Sequence, residues 1–196
     1  MKIVLLYFFA SLLHFARHNL PVGTHVVRCI TVQANYPGFK FDTTLAQNLS
    51  DSLFLVTAYN QNEFEIKAAK LAHKQSGNPK VKDMALVIKK DHEALSNNLQ
   101  ALLIKKGYTL PQPSTELQAK FKYLNEWMGK DFNTRYANGN AIDTEGDIAF
   151  YTLFLRSTKD AELRGFATNA ITVLQVDKDS MEELIKHINV VPRSTW

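Results

Sequence analysis

Residues 49–190 are expected to form an all-α domain: an antiparallel four-helix bundle with a short side helix. Three observations predict this. From Ser50 onward the apolar residues recur with the 3.6-residue period of an amphipathic helix. Glycine and proline cut that pattern into four long segments and one short one. No stretch after residue 50 alternates convincingly as a half-buried strand would.

The first helix is expected over Asp51–Gln75, with an inward stripe through Leu55, Ala58 or Tyr59, Asn62, Glu65 or Ile66, Ala69 and Ala72. Ser76-Gly77-Asn78-Pro79 stops it. There Gly77 suits a left-handed cap and Pro79 the first turn of the next helix. The second runs from Pro79 to Lys106, with Val81, Ile88, His92, Leu95, Leu99 and Leu102 inward, and Gly107 ends it. Leu110-Pro111-Gln112-Pro113 is a stiff connector, and Ser114 can cap a side helix that reaches Met128. Gly129 closes that piece. The third long helix spans about Asp131–Ser157 through Phe132, Tyr136, Asn140, Asp143, Asp147 and Phe154. The fourth spans about Asp160–Ile188 through Leu163, Phe166, Ala170, Asp177, Met181 and Leu184.

A chain of 196 residues, 45% apolar, is long enough for one such domain and a tail. The net charge of +4 is concentrated at one end. Residues 1–35 hold Lys2, Arg17 and Arg28 and no acid, which leaves 20 basic against 19 acidic side chains elsewhere. Those charges are interspersed, so a nucleic-acid partner is not expected. Cys29 is the sole cysteine, which excludes an intrachain disulfide and a thiolate metal cluster. Met1-Lys2 precedes an apolar run from Ile3 to Ala16, shorter than the roughly 20 residues a membrane-spanning helix needs. Residues 1–34 therefore read as a secretory signal or anchoring segment, and 35–48 as linker.

Several short blocks carry a family resemblance. They are Asn78-Pro79-Lys80-Val81-Lys82, Lys90-Asp91-His92, the exit from Gly107 to Pro111, Phe132-Asn133-Thr134-Arg135-Tyr136, and Ala161-Glu162-Leu163-Arg164-Gly165-Phe166-Ala167. In this order and spacing, over residues 50–187, the chain resembles a large bacterial family of exported ferritin-like proteins of unknown function. The resemblance implies a ferritin-like bundle and a periplasmic or secreted location. It supplies no activity. In that family the block around Asp143 usually reads Asp-His, and a histidine usually stands at position 177. Here Thr144 and Asp177 occupy those places, so two of the family's three imidazoles are missing.

Chemistry is expected where the inward stripes turn polar, at Glu65, His92, Asp143, Asp147 and Asp177. A charge inside a bundle is costly unless paired, hydrogen-bonded or bound to metal. Counted from the turn between the first two helices, Glu65 and His92 lie at roughly 18 and 22 Å, at about 1.5 Å per residue. Counted from the last turn, Asp143 and Asp177 lie at roughly 24 and 27 Å by the same rise. Each hairpin thus places its polar pair near one level, and stacking the hairpins in register would gather all five. Such a set of carboxylates and imidazole suits iron or manganese. The usual Glu-x-x-His pairing of ferritin-like metal sites is absent, however. The alternatives are a neutral His92 bonded to a neighbour, a Glu65 turned outward or paired with lysine, and solvated Asp143 and Asp147. Asp177 is expected to pair with His92, raising that imidazole's pKa and selecting its tautomer.

No glycine-rich phosphate loop, Gly-x-Ser-x-Gly elbow or His-Glu-x-x-His motif occurs. The aromatics Phe121, Tyr123, Trp127, Phe132 and Tyr136 read as packing between side helix and bundle. Three functional classes follow. The first is a non-catalytic binding or stress-related structural protein of the cell envelope. The second is a metal-binding bundle with an oxidase-like or storage role. The third is a helical module associated peripherally with an envelope partner.

Overall fold

The computed structural model describes residues 49–188. The expected signal or anchoring segment and the linker lie outside the described residues. Among the described residues the chain is all-helical: α1 Asp51–Gln75, α2 Pro79–Lys105, α3 Thr115–Asn125, α4 Gly129–Ser157 and α5 Ala161–Ile188. Helix α1 packs along α2, and α4 along α5. The two pairs meet where α2 touches α5 and α1 touches α4, and α3 rests against α1 and α4.

Local chemistry explains most boundaries. Ser50 and Ser114 each accept a bond from the backbone N–H three residues on, at 3.2 Å, and so cap α1 and α3. Asn78 accepts from the Lys80 N–H, and Pro79 opens α2 where no backbone donor is needed. Gly107 takes a left-handed φ of 77° and ends α2, with the Tyr108 N–H folded back onto the Leu103 carbonyl.

Two expectations are corrected. Gly77 is not left-handed: Ser76 caps α1 in extended conformation, and its Oγ accepts from the Asn78 N–H at 3.0 Å. The side chain of Ser76 thus makes the turn that was assigned to a glycine. The side helix stops at Asn125, three residues short of Met128, because the Glu126 and Trp127 N–H groups tighten onto Tyr123 and Leu124. Gly129, at φ 57°, then opens α4 rather than merely closing the preceding segment.

The apolar core comes in two parts. One gathers Phe54, Leu99, Phe150, Phe154, Leu163 and Leu174. The other gathers Phe64, Ile88, Leu124, Phe132, Tyr136 and Met181. On the long helices Asn62, His92, Asn140, Asp143, Asp147 and Asp177 lie in sequence between these sets. Phe54 anchors the first part: its ring is parallel to Phe154 at 3.7 Å between centroids and edge-on to Tyr151 at 5.0 Å. Polar ties fix the ends. Ser76 Oγ donates to Asn133 Oδ1 at 2.7 Å, and Thr158 Oγ1 donates to Asp51 Oδ1 at 3.1 Å. Each joins one helix pair to the other and so sets their relative height.

Phe54→Ala should therefore cost about 3–5 kcal/mol in chemical denaturation, the range for a large aromatic truncated in a core. Val176→Ala, at a side chain 59% exposed, should stay within about 0.5 kcal/mol of the parent. Equal losses would contradict the packing described.

Candidate functional site

Between the two apolar parts lies a layer of buried polar side chains. It includes Asn62 and Glu65 from α1, His92 from α2, Asn140, Asp143 and Asp147 from α4, and Asp177 from α5. All five polar residues expected inside are at most 4% exposed, so Glu65 does not turn outward and Asp143 and Asp147 are not solvated.

On the α2–α5 side, His92 Nδ1 lies 2.9 Å from Asn62 Oδ1. The Asn62 amide donates its Nδ2–H to the Ala58 carbonyl at 2.8 Å and lies 3.3 Å from Tyr151 Oη. Its Oδ1 is therefore the acceptor, and the imidazole carries its hydrogen on Nδ1. The Nε2 lone pair faces Asp177, with 3.8 Å to Oδ2. That is too long for a hydrogen bond. Nε2 and both Asp177 oxygens are buried without a hydrogen-bond partner among the described residues. Burial pushes His92 down to about 4, because the cation would be poorly solvated. The expected rise does not occur: loss of water outweighs the pull of the carboxylate. Burial, reinforced by the neighbouring Asp91 carboxylate, pushes Asp177 up to about 7. The imidazole's tautomer is selected by Asn62 rather than by Asp177.

On the α1–α4 side, Lys120 of the side helix reaches inward and pairs with Asp143, both side chains at most 5% exposed. Its Nζ also sits 4.3 Å from the Phe64 ring centroid, a cation–π contact. Glu65 accepts from Asn140 Nδ2 at 2.6 Å. Burial, and then the Asp143 carboxylate, raise Glu65 well above the usual carboxylate range despite the opposing pull of Lys120. Asp147 is raised for the same reasons in the same order. Tyr136, its hydroxyl buried without a partner, is raised by burial and then by Glu65 and Asp177, which marks it as the link between the two sides.

The structure thus divides the five expected residues into two sets, His92 with Asp177 and Glu65 with Asp143 and Asp147. Among the described residues no three His, Cys, Asp or Glu side chains converge as a metal-binding group. Sequence reasoning missed Lys120, although it lies three residues after Leu117 and four before Leu124, on their face of α3. It also passed over Asn62 and Asn140, which stood on the inward stripes but carry no charge. The aromatic cluster does pack at the side-helix connection. It additionally holds Arg135, whose guanidinium lies 3.5 Å from the Trp127 ring centroid and donates to Tyr123 Oη.

Asp177 yields a pH test. Its folded-state value lies above the unfolded 3.8, so its stabilising contribution is full below that value and is lost as pH rises through about 7. Asp177→Asn mimics the protonated acid at all pH values. The variant should gain about 2 kcal/mol relative to the parent between about pH 5 and pH 8, measured by urea denaturation. A difference independent of pH would show that Asp177 titrates normally.

The profile of the family described as "Domain of unknown function (DUF4142)" matches residues 37–184. A solved structure, "Crystal structure of DUF305 fragment from Deinococcus radiodurans", superposes with a TM-score of 0.62 at 14% identity. The match covers 68% of this chain and 93% of that one. At such identity the likeness is one of fold alone. No curated protein matches the chain. Because the family profile spans most of the sequence, with both sides of the polar layer inside it, the chain belongs to the DUF4142 family.

Proposed function

We propose that the chain is an exported, ferritin-like antiparallel four-helix bundle, with α3 as its side helix, that serves as a non-catalytic binding or stress-related structural protein of the cell envelope. One observation carries this reading: three of the layer's polar groups take their partners from within the fold. Asn62 occupies His92 Nδ1, Asn140 occupies Glu65, and Lys120 occupies Asp143. Carboxylates that hold their partners within the fold are poorly placed to exchange ligands. The groove between α1 and the side helix, lined by Phe64, Lys67, Pro113, Leu117 and Phe121, includes none of the five residues. The pairing of α1 with α2 and of α4 with α5 supports the four-helix arrangement. Export rests on the apolar run after Lys2 and on the family resemblance. No described helix is long and apolar enough to cross a membrane.

A second reading is favoured by the unpartnered atoms at His92 and Asp177. A neutral imidazole lone pair facing a carboxylate is a two-donor set of the kind iron or manganese accepts. It fits such an ion only in part, since no third ligand of these types joins it among the described residues.

Titration of the purified chain with Mn²⁺ or Fe²⁺, read by melting temperature, separates the two. The structural reading expects no rise. A rise saturating near one equivalent and abolished by His92→Leu would establish the metal reading. Fractionation of cells should recover the chain outside the cytoplasm, and a purely cytoplasmic pool would overturn the export component.

A further inference from the structure

The Lys120–Asp143 contact differs from the other lysine–carboxylate contacts of the described residues. Lys106–Asp160 has side chains 21% and 27% exposed, and Lys105–Glu162 67% and 44%, whereas Lys120 and Asp143 are 4% and 5% exposed. Water solvates the first two pairs as ions. The third is a primary amine and a carboxyl group held in contact away from water, on different helices, with an aromatic ring against the nitrogen.

From this arrangement we propose that Lys120 and Asp143 condense into an intramolecular amide that ties the side helix α3 to α4. The reaction is balanced within the pair. One ammonium proton passes to the carboxylate, leaving a neutral amine and a neutral acid. The Nζ lone pair attacks Asp143 Cγ, an Nζ–Cγ bond forms, and the tetrahedral intermediate collapses as one Cγ–O bond breaks. The departing oxygen leaves as water with two of the original ammonium protons. No oxidant, reductant or cofactor enters. In water such a condensation is opposed by solvation of both ions. Here that solvation is already lost, and the product is a neutral group that the interior accepts more readily. Fixed contact also replaces a bimolecular encounter, the usual source of high effective molarity.

The proton transfers need a relay, and Glu65 is placed for it. Asn140 orients its carboxyl group, and it lies within electrostatic reach of both Lys120 and Asp143. Burial shifts it toward the protonated form, and from this place its carboxyl group can exchange protons with the departing oxygen and the nitrogen. Glu65 acts on the pair and forms no bond itself. The proposal stands apart from the envelope and metal readings.

The test is peptide mapping of the purified full chain by mass spectrometry after denaturation and trypsin. An amide at Lys120 blocks cleavage there. The expected product is a branched peptide joining residues 107–122 to residues 136–156, lighter by one water than the two together. Lys120→Arg and Asp143→Ala should each abolish it. Folded Glu65→Gln protein should form the branch at least about tenfold more slowly, with partial rescue in Glu65→Asp. Wild-type protein that yields only linear peptides, cleaved after Lys120, overturns the proposal. So does loss of water confined to the peptide 136–156, which would be a succinimide at Asp143. Should Glu65→Gln fail to fold by circular dichroism, the wild-type map still decides. A folded Glu65→Gln chain that links at the parental rate removes Glu65 from the relay.

Discussion

Four carboxylates and one ammonium group are buried at mid-height of the described helices, and no arrangement of the rest can ignore them. Each ion taken from water costs several kcal/mol unless it is paired, hydrogen-bonded or neutralised. With Lys120 the sole buried cation among the described residues, one carboxylate can be matched and the others must be otherwise accommodated. Asp143 takes the lysine, Glu65 takes the Asn140 amide, and burial drives Glu65, Asp147 and Asp177 toward their protonated forms. This requirement places α3. A side helix that only covered apolar surface would need leucines and aromatics, whereas this one also delivers a charge through the wall.

The same layer divides the core. Apolar packing above it is dominated by stacked rings around Phe54, and below it by alanines and the Phe132–Tyr136 pair. Neither part alone sets the height of one helix pair against the other, because apolar contacts are non-directional. Hydrogen bonds and ion pairs are directional, and a slip of one turn would leave Asn62, Glu65 and Asp143 without their present partners. The end ties at Ser76–Asn133 and Thr158–Asp51 act in the same sense. The layer lowers the stability an all-apolar core would have and specifies one register in exchange.

Electrostatics also separates the two sides chemically. Around His92 the pressure is toward neutrality in both partners, which leaves an imidazole lone pair facing an acid that titrates near neutral pH. Around Lys120 an amine and a carboxyl group are in buried contact, with the Glu65 carboxyl, raised by burial, in electrostatic reach. Tyr136 stands between them, buried and raised by carboxylates from both sides. Thr144, fully buried next to Asp143, contributes an uncharged hydroxyl at this level.

The helical pattern, the caps at Ser114 and Pro79, and the inward placement of Glu65, His92, Asp143, Asp147 and Asp177 were legible in the sequence, because helical period and cap chemistry are local properties. Counting rise from the turns also brought each polar pair near one level. Other outcomes depended on tertiary contact. Lys120 shares a face with Leu117 and Leu124, yet a lysine on a short helix normally points to water, and only docking against α1 and α4 shows where its ammonium group ends. The sign of the His92 shift depended on how completely neighbouring helices exclude water, which no residue spacing reveals. Ser76, rather than Gly77, made the first turn because Asn133 of α4 receives the serine hydroxyl. Sequence by itself determined which faces of the long helices turn inward; the tertiary structure decided which inward residues meet and brought Lys120 in to join them, since partnership in a buried layer is set by the heights and rotations of helices far apart in the chain.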